Sequence, residues 1–230
     1  MGKIYSTGYN MSNMFELPLF PLNTVLFPGM PLNLHIFEQR YKRMIRQCLE
    51  ANQPFGVVLI RTGKEALGPL AEPHEVGCTA RIVNAEYLEE GRMNIMALGE
   101  NRFRILSLSF DQPFLVGKVE LYPLEDSNDG MLTRTMLELR PWVKRYMQIL
   151  TETSDVTLNP QHLPDDPLVL AYLAAVLLQL PPHQKQDLLA SARAVDLLTD
   201  MNAIYRREVA LLNAIASGGR PENSRNFSVN

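Results

Sequence analysis

Residues 16–41 read Glu16-Leu17-Pro18-Leu19-Phe20-Pro21-Leu22-Asn23-Thr24-Val25-Leu26-Phe27-Pro28-Gly29-Met30-Pro31-Leu32-Asn33-Leu34-His35-Ile36-Phe37-Glu38-Gln39-Arg40-Tyr41, and the placing of proline, glycine and apolar residues here decides the fold of the first half. From Phe15 to Leu22 apolar residues alternate, with Pro18 and Pro21 inside the run. Proline has no N–H for a sheet ladder, so an edge strand is expected, or one that ends at Pro21. Phe27-Pro28-Gly29-Met30-Pro31 has the composition of a turn in which Gly29 can take a positive φ. Leu32 to Ile36 alternates with period two, as a half-buried strand does. At Phe37 the period changes. Phe37, Tyr41, Met44, Ile45 and Cys48 share one face of a helix, with Arg40, Lys42, Arg43 and Arg46 mostly opposite.

Asn52 and Pro54 end that helix, and Phe55 to Ile60 reads as a buried strand. Residues 61–75, rich in Gly and Pro, read as a long loop. Four strand-like segments follow: Cys78 to Tyr87, Arg92 to Leu98, Arg102 to Phe110 and Phe114 to Tyr122. Glu89-Glu90-Gly91 and Gly99-Glu100-Asn101 are the expected turns between the first three. Short strands with tight turns and one inserted helix favour a small closed or half-open barrel. The polar stretch Asp126 to Gly130 is the expected domain boundary.

Beyond it the spacing is helical. Leu132, Met136, Leu139, Val143, Tyr146, Met147 and Leu150 mark one helix, kinked or restarted at Pro141. Asp165-Asp166-Pro167 is a helix start, a capping carboxylate followed by proline. Leu168 to Leu180 is apolar almost all round, which predicts the most buried helix, stopped by Pro181-Pro182. A short helix near His183 to Ala190 leads to a long one whose buried face is Val195, Leu198, Met201, Tyr205, Leu212 and Ile215, ended by Gly218-Gly219. The expectation is a flexible start over 1–13, a β domain over 14–124, a bundle of four or five helices over 131–216, and a disordered tail over 217–230.

Composition narrows the function. The chain has 230 residues, 46% hydrophobic and 20% charged, with a net charge of −3. Residues 1–124 carry 12 Lys/Arg against 12 Asp/Glu, and residues 125–230 carry 10 against 13, so neither half has the basic surplus that phosphate backbones need. A nucleic-acid partner is therefore not expected. No apolar run approaches the roughly 18–20 residues of a membrane span, and the start lacks a signal-peptide pattern. Two cysteines, Cys48 and Cys78, suit a reducing cytoplasm. Gly63-Lys64 is followed by Glu65, not Ser or Thr, so it is no phosphate loop. The four histidines are scattered, and His74 with Cys78 lacks a second ligand pair. No catalytic residue, metal or cofactor is expected.

The motifs P-L-F-P-L, V-L-F-P-G and H-I-F-E-x-R-Y of residues 17–41 resemble the opening of the LON domain, the N-terminal substrate-recognition region of Lon proteases, which also occurs in cereblon. Glu75-Val76-Gly77-Cys78, Gly99-x-x-Arg102-Phe103-Arg104-Ile105 and Lys185-Gln186-Asp187-Leu188-Leu189 extend the resemblance to roughly residues 14–215. Asn33 and Gln39 depart from it, standing where proline is expected, and Asp196 stands near an expected arginine. The resemblance implies an α+β fold, a PUA-like β pseudo-barrel with one inserted helix followed by an α-helical bundle. It also implies a non-enzymatic protein-binding module for exposed apolar or unfolded polypeptide segments, working as an adaptor to a protease or with a chaperone. In Lon proteases ATPase and Ser–Lys peptidase domains follow this region, and neither is present in these residues. The alternative is an RNA-binding PUA-like protein, an analogy of fold alone.

The expected binding surface is the first turn and helix. Phe27, Pro28 and Met30 put large apolar groups in a proline-fixed turn, where a partner could meet them. His35, Glu38 and Arg40 would form a polar rim, and a strand edge opened by Pro18 and Pro21 would accept an extended chain.

Overall fold

The structure, a computed structural model, describes residues 14–65, 71–125, 129–153 and 158–218. The expected flexible start over 1–13 lies outside the described residues, as do residues 126–128 of the expected boundary and the tail beyond Gly218. Seven strands and five helices follow in the order β1 (Met14–Leu22), β2 (Pro31–Ile36), α1 (Gln39–Ala51), β3 (Phe55–Thr62), β4 (Glu72–Pro73), β5 (Val76–Tyr87), β6 (Met93–Ser109), β7 (Leu115–Leu121), α2 (Asp129–Thr153), α3 (Pro167–Leu177), α4 (Pro182–Ala190) and α5 (Ala194–Gly218). Among the described residues no helix is long and apolar enough to cross a membrane.

The proline-bearing strand is not at the edge. β1 runs antiparallel to β7 over Met14–Leu19 and parallel to β3 over Leu19–Leu22. The two pairings overlap only at Leu19, so at Pro18 and again at Pro21 the strand has a neighbour on one side alone. A missing N–H can then face the open side, which is how the strand holds two prolines without losing its place. The pairings β1–β7, β7–β6, β6–β5, β5–β3 and β3–β1 close into a ring, antiparallel except at β1–β3, with β2 added to β6 and β4 to β3.

From Leu17 onward both faces of β1 are buried, in different clusters. Leu17 and Leu19 pack with Val58, Phe103, Leu115 and Val119. Phe20 and Leu22 pack with Tyr41, Met44, Ile45 and Cys48 of α1 and with Ile36, Phe55, Cys78 and Met93. The first cluster is tight: a Cβ on Gly56 would stand 2.7 Å from Leu17, Leu19 and Phe103.

Gly99-Glu100-Asn101 is not a turn. β6 runs unbroken from Met93 to Ser109, pairing first with β2 and later with β7. Gly99 is needed for close approach instead, because a Cβ there would collide with the Phe27 carbonyl oxygen. The 89–91 turn is present, with Glu90 and Gly91 at positive φ. The expected loop over 61–75 contains β4, and residues 66–70 lie outside the described residues. α1 starts at Gln39, so Phe37 precedes it and is 46% exposed instead of joining the buried face. Asn52 ends the helix in the left-handed region, as its position suggested.

The described residues divide into two compact units, those up to Leu124 with Leu180–Ala190, and those of Glu125–Gln179 with those from Ser191 onward. In the second, α2, α3 and α5 pack together, Tyr205 donates from its hydroxyl to Ala174 O at 2.9 Å, and Asp166 caps α3 by accepting from Leu168 N and Val169 N. Three helices form this unit among the described residues, fewer than the four or five expected. The difference is α4, which packs on β5: buried Gln186 donates to Val76 O at 3.0 Å. The motif segments 75–78 and 185–189 thus meet through a hydrogen bond spanning 110 residues, a long-range contact that helical periodicity could not announce. α2 continues through Pro141. α3 buries one face, Leu170, Ala171, Ala174 and Ala175, and leaves Val169 53% exposed, so it is less enclosed than its composition suggested. On α5, Ile215 is exposed.

Candidate functional site

The site follows from the hydrogen-bond phase of β2. Gly99 donates its N–H to Met30 O at 2.9 Å, at the start of a ladder pairing Pro31 with Leu98 and Ile36 with Met93. In an antiparallel ladder alternate residues bond to the neighbour. Leu32, Leu34 and Ile36 therefore face β6 with their backbone groups, and Asn33 and His35 turn their N–H and C=O outward, together with the Pro31 C=O. Among the described residues β2 pairs with β6 alone. Among the described residues β2 thus leaves one side unpaired along its whole length, whereas β1, where two prolines suggested an open edge, has one neighbour along each half.

Along that edge runs a slot of about 160 Å³, with Phe20, Leu22, Leu34, Ile36 and Tyr41 as its apolar lining and Phe37, Glu38 and Glu65 around it. It is smaller than the roughly 300–1,000 Å³ of small-molecule pockets and would hold one apolar side chain at a time. Next to it, and sharing Asn33, Leu34 and His35, is a shallower depression on the outer face of β2, β6 and β5, lined also by Asn84, Glu86, Asn94 and Met96. His35 Nδ1 lies 2.8 Å from Asn94 Oδ1, and Asn94 Nδ2 donates to Glu86 Oε2 at 3.1 Å. The Phe37 ring stacks at 6.0 Å on His35.

Tyr41 holds the slot's floor. Its ring stacks on Phe20 with centroids 4.0 Å apart, and the Arg40 guanidinium lies 4.7 Å over it. Burial pushes its hydroxyl up to about 12; Arg40 works against this, and the carboxylates of Glu38 and Glu65 add to it. Glu38 stands at the N-cap of α1 but its side chain does not cap; it accepts from Arg40 Nε at 3.0 Å. Glu65 accepts the Asn23 N–H at 2.9 Å.

The six residues expected to bind separate into two groups. His35 and Glu38 line the slot, and Arg40 braces it through Glu38 and Tyr41. Phe27 is fully buried, Pro28 and Met30 are half-buried, and Met30 packs against the core. The turn is held down, since Gly29 N–H donates to Gly99 O at 2.8 Å and Met30 N–H to Phe27 O at 3.0 Å. Phe27 is therefore core and not a surface offered to a partner. Leu34, Phe37, Glu65 and Glu86 were missed. Phe37 was hidden by its helical spacing from Tyr41, and the two glutamates by distances in sequence that only strand pairing closes.

The model of the ATP-dependent protease La (LON) substrate-binding domain matches residues 16–206. The chain belongs to this family. Over 227 residues it is 28% identical to Lon protease 2 of Myxococcus xanthus, covering 91% of this chain and 26% of that protein. It is 27% identical over 224 residues to Lon protease of Anaeromyxobacter dehalogenans, covering 91% and 25%. The chain thus spans about a quarter of the length of these Lon proteases. Among solved structures it resembles the Lon N-terminal domain protein from Xanthomonas campestris, with 26% identity and a TM-score of 0.55 over 82% of this chain and 98% of that one. The N-terminal domain of Mycobacterium avium complex Lon protease has the same fold at a TM-score of 0.66 and 16% identity, over 84% and 98%. The matched region is a LON substrate-binding domain, and no catalytic domain is evident within these residues.

Proposed function

We propose that the chain is a non-enzymatic module that recognises extended, exposed segments of other proteins, with the groove along β2 as its binding site. The observation that carries this reading is an unpaired strand edge lying beside an apolar slot, within the motif that the LON family model covers. A folded partner needs a broad face, whereas an extended segment needs backbone groups and small pockets for alternate side chains. We take the ring of strands as a PUA-like pseudo-barrel, and the module as an adaptor that presents segments to a protease or chaperone. The two buried thiols fit a reducing compartment, and we place the module in the cytoplasm. RNA is disfavoured as the ligand, because Glu38, Glu65 and Glu86 line the groove and its neighbouring face where phosphates would have to sit.

The test is binding of a reduced, carboxamidomethylated model protein against its native form. The unfolded form should bind with a Kd on the order of micromolar, as expected when a few contacts must offset the cost of association. Equal retention of the native form, or tighter binding of a single-stranded RNA, would remove the reading.

A further inference from the structure

We infer that the groove takes its segment as an added β-strand on β2, and that it selects segments in which apolar residues alternate with lysine or arginine. The inference rests on the polypeptide-binding reading above and assigns both the mode of binding and the chemistry of the ligand.

The mode follows from how little apolar surface the slot offers. Phe20, Leu22, Ile36 and Tyr41 each retain 6% exposure or less, so a side chain entering the slot gains mainly from Leu34 and from Phe37 at 46%. So small an apolar contact cannot by itself hold a flexible chain. The outward backbone groups of Asn33 and His35 with the Pro31 carbonyl supply the rest: a strand laid beside β2 would complete its ladder, as strand addition does elsewhere. Period two then sets the pattern. Residues of one parity point toward the slot, and the others toward the outer face that bears Asn33, His35, Asn94 and Glu86.

Charge settles what the second set should be. The residues lining the slot and the adjoining face include Glu38, Glu65 and Glu86 and no lysine or arginine. Glu38 is matched by Arg40 at 3.0 Å. Glu65 and Glu86 accept only from an amide N–H and an asparagine, and neither is in an ion pair among the described residues. Glu86, on the face that the second set would meet, and Glu65, at the slot, are both uncompensated, and they favour a cationic strand and repel an acidic one.

The experiment measures fluorescence anisotropy with the full chain and three short capped peptides: alternating Val and Lys, alternating Val and Glu, and the Val-Lys peptide N-methylated at every residue. At about 50 mM salt the Val-Lys peptide should bind at least about tenfold tighter than Val-Glu, with the gap closing near 500 mM. Asn33→Pro, which removes one outward N–H and none facing β6, should weaken Val-Lys binding about tenfold with an unchanged thermal midpoint. Glu65→Gln with Glu86→Gln should narrow the gap between the peptides. N-methylation should abolish binding, and it reads the same backbone bonds from the ligand side if Asn33→Pro fails to fold. Equal binding of Val-Lys and Val-Glu overturns the charge assignment and leaves the polypeptide-binding reading intact. Undiminished binding of the N-methylated peptide overturns strand addition. Failure of every peptide to bind, while the unfolded model protein still does, overturns this inference alone; failure of both removes the function as well.

Discussion

The turn at Val25–Met30 and the strand β2 that follows it belong to one motif, contain similar residues, and have opposite fates. Val25, Leu26 and Phe27 are at most 2% exposed, and the turn is tied by backbone hydrogen bonds to Gly99. β2 begins one residue later, and two of its residues turn their backbone groups away from β6 toward an edge with no neighbour. Apolar character in a proline-rich loop therefore does not mark a binding surface here. What marks it is unspent hydrogen-bonding capacity, which depends on which strand lies beside which.

The comparison is broken most severely at Phe27. Phe27→Ala should lower stability by about 3–5 kcal/mol, as expected for an aromatic side chain removed from a packed core, read as the shift in a urea unfolding midpoint. A variant that keeps its stability and loses peptide binding would put the turn back on the surface. Gly99→Ala attacks the same clamp from β6. Its methyl group would meet the Phe27 carbonyl, and a loss of about 1–3 kcal/mol is expected, the range for overpacking.

Alkaline titration sharpens the comparison from the slot's floor. Burial raises the Tyr41 hydroxyl from 10.0 to about 12, and the buried thiols of Cys48 and Cys78 from 9.0 to about 11 and about 12. Each folded value lies above the unfolded one, so the native state holds more protons and its stability must fall as pH rises through these windows. The contribution is complete below about pH 9 and should decline between about 9 and 12. Tyr41→Phe should flatten the decline above pH 10, and a slope unchanged in that variant would show that Tyr41 is not buried at the slot. The smallest effect on stability is expected at the edge itself. Phe37→Ser, at a half-exposed residue before α1, should change stability by no more than about 0.5 kcal/mol while weakening binding of the unfolded model protein. A folded Phe37→Ser variant that binds as before would move the site away from β2.

Local pattern alone placed β2, α1, the Asn52 helix end, the 89–91 turn and the Asp166 cap close to where they stand, because each depends on neighbours within four residues or so. It also pointed to His35 and Glu38, polar residues in a motif otherwise made for packing. It did not decide which edge is open. Two prolines in β1 suggested that edge, yet β1 has β7 along one half and β3 along the other, and the prolines are accommodated by the change of partner. Gly99 looked like a turn because glycine serves both turns and close approaches, and only the nearness of Phe27 tells them apart. In the same way α4 looked like one more bundle helix until Gln186 met Val76 across 110 residues. Periodicity is a property of one segment and survives in sequence. Pairing and closure are properties of two segments brought together, and the contacts that choose among possible partners exist only once the chain has folded.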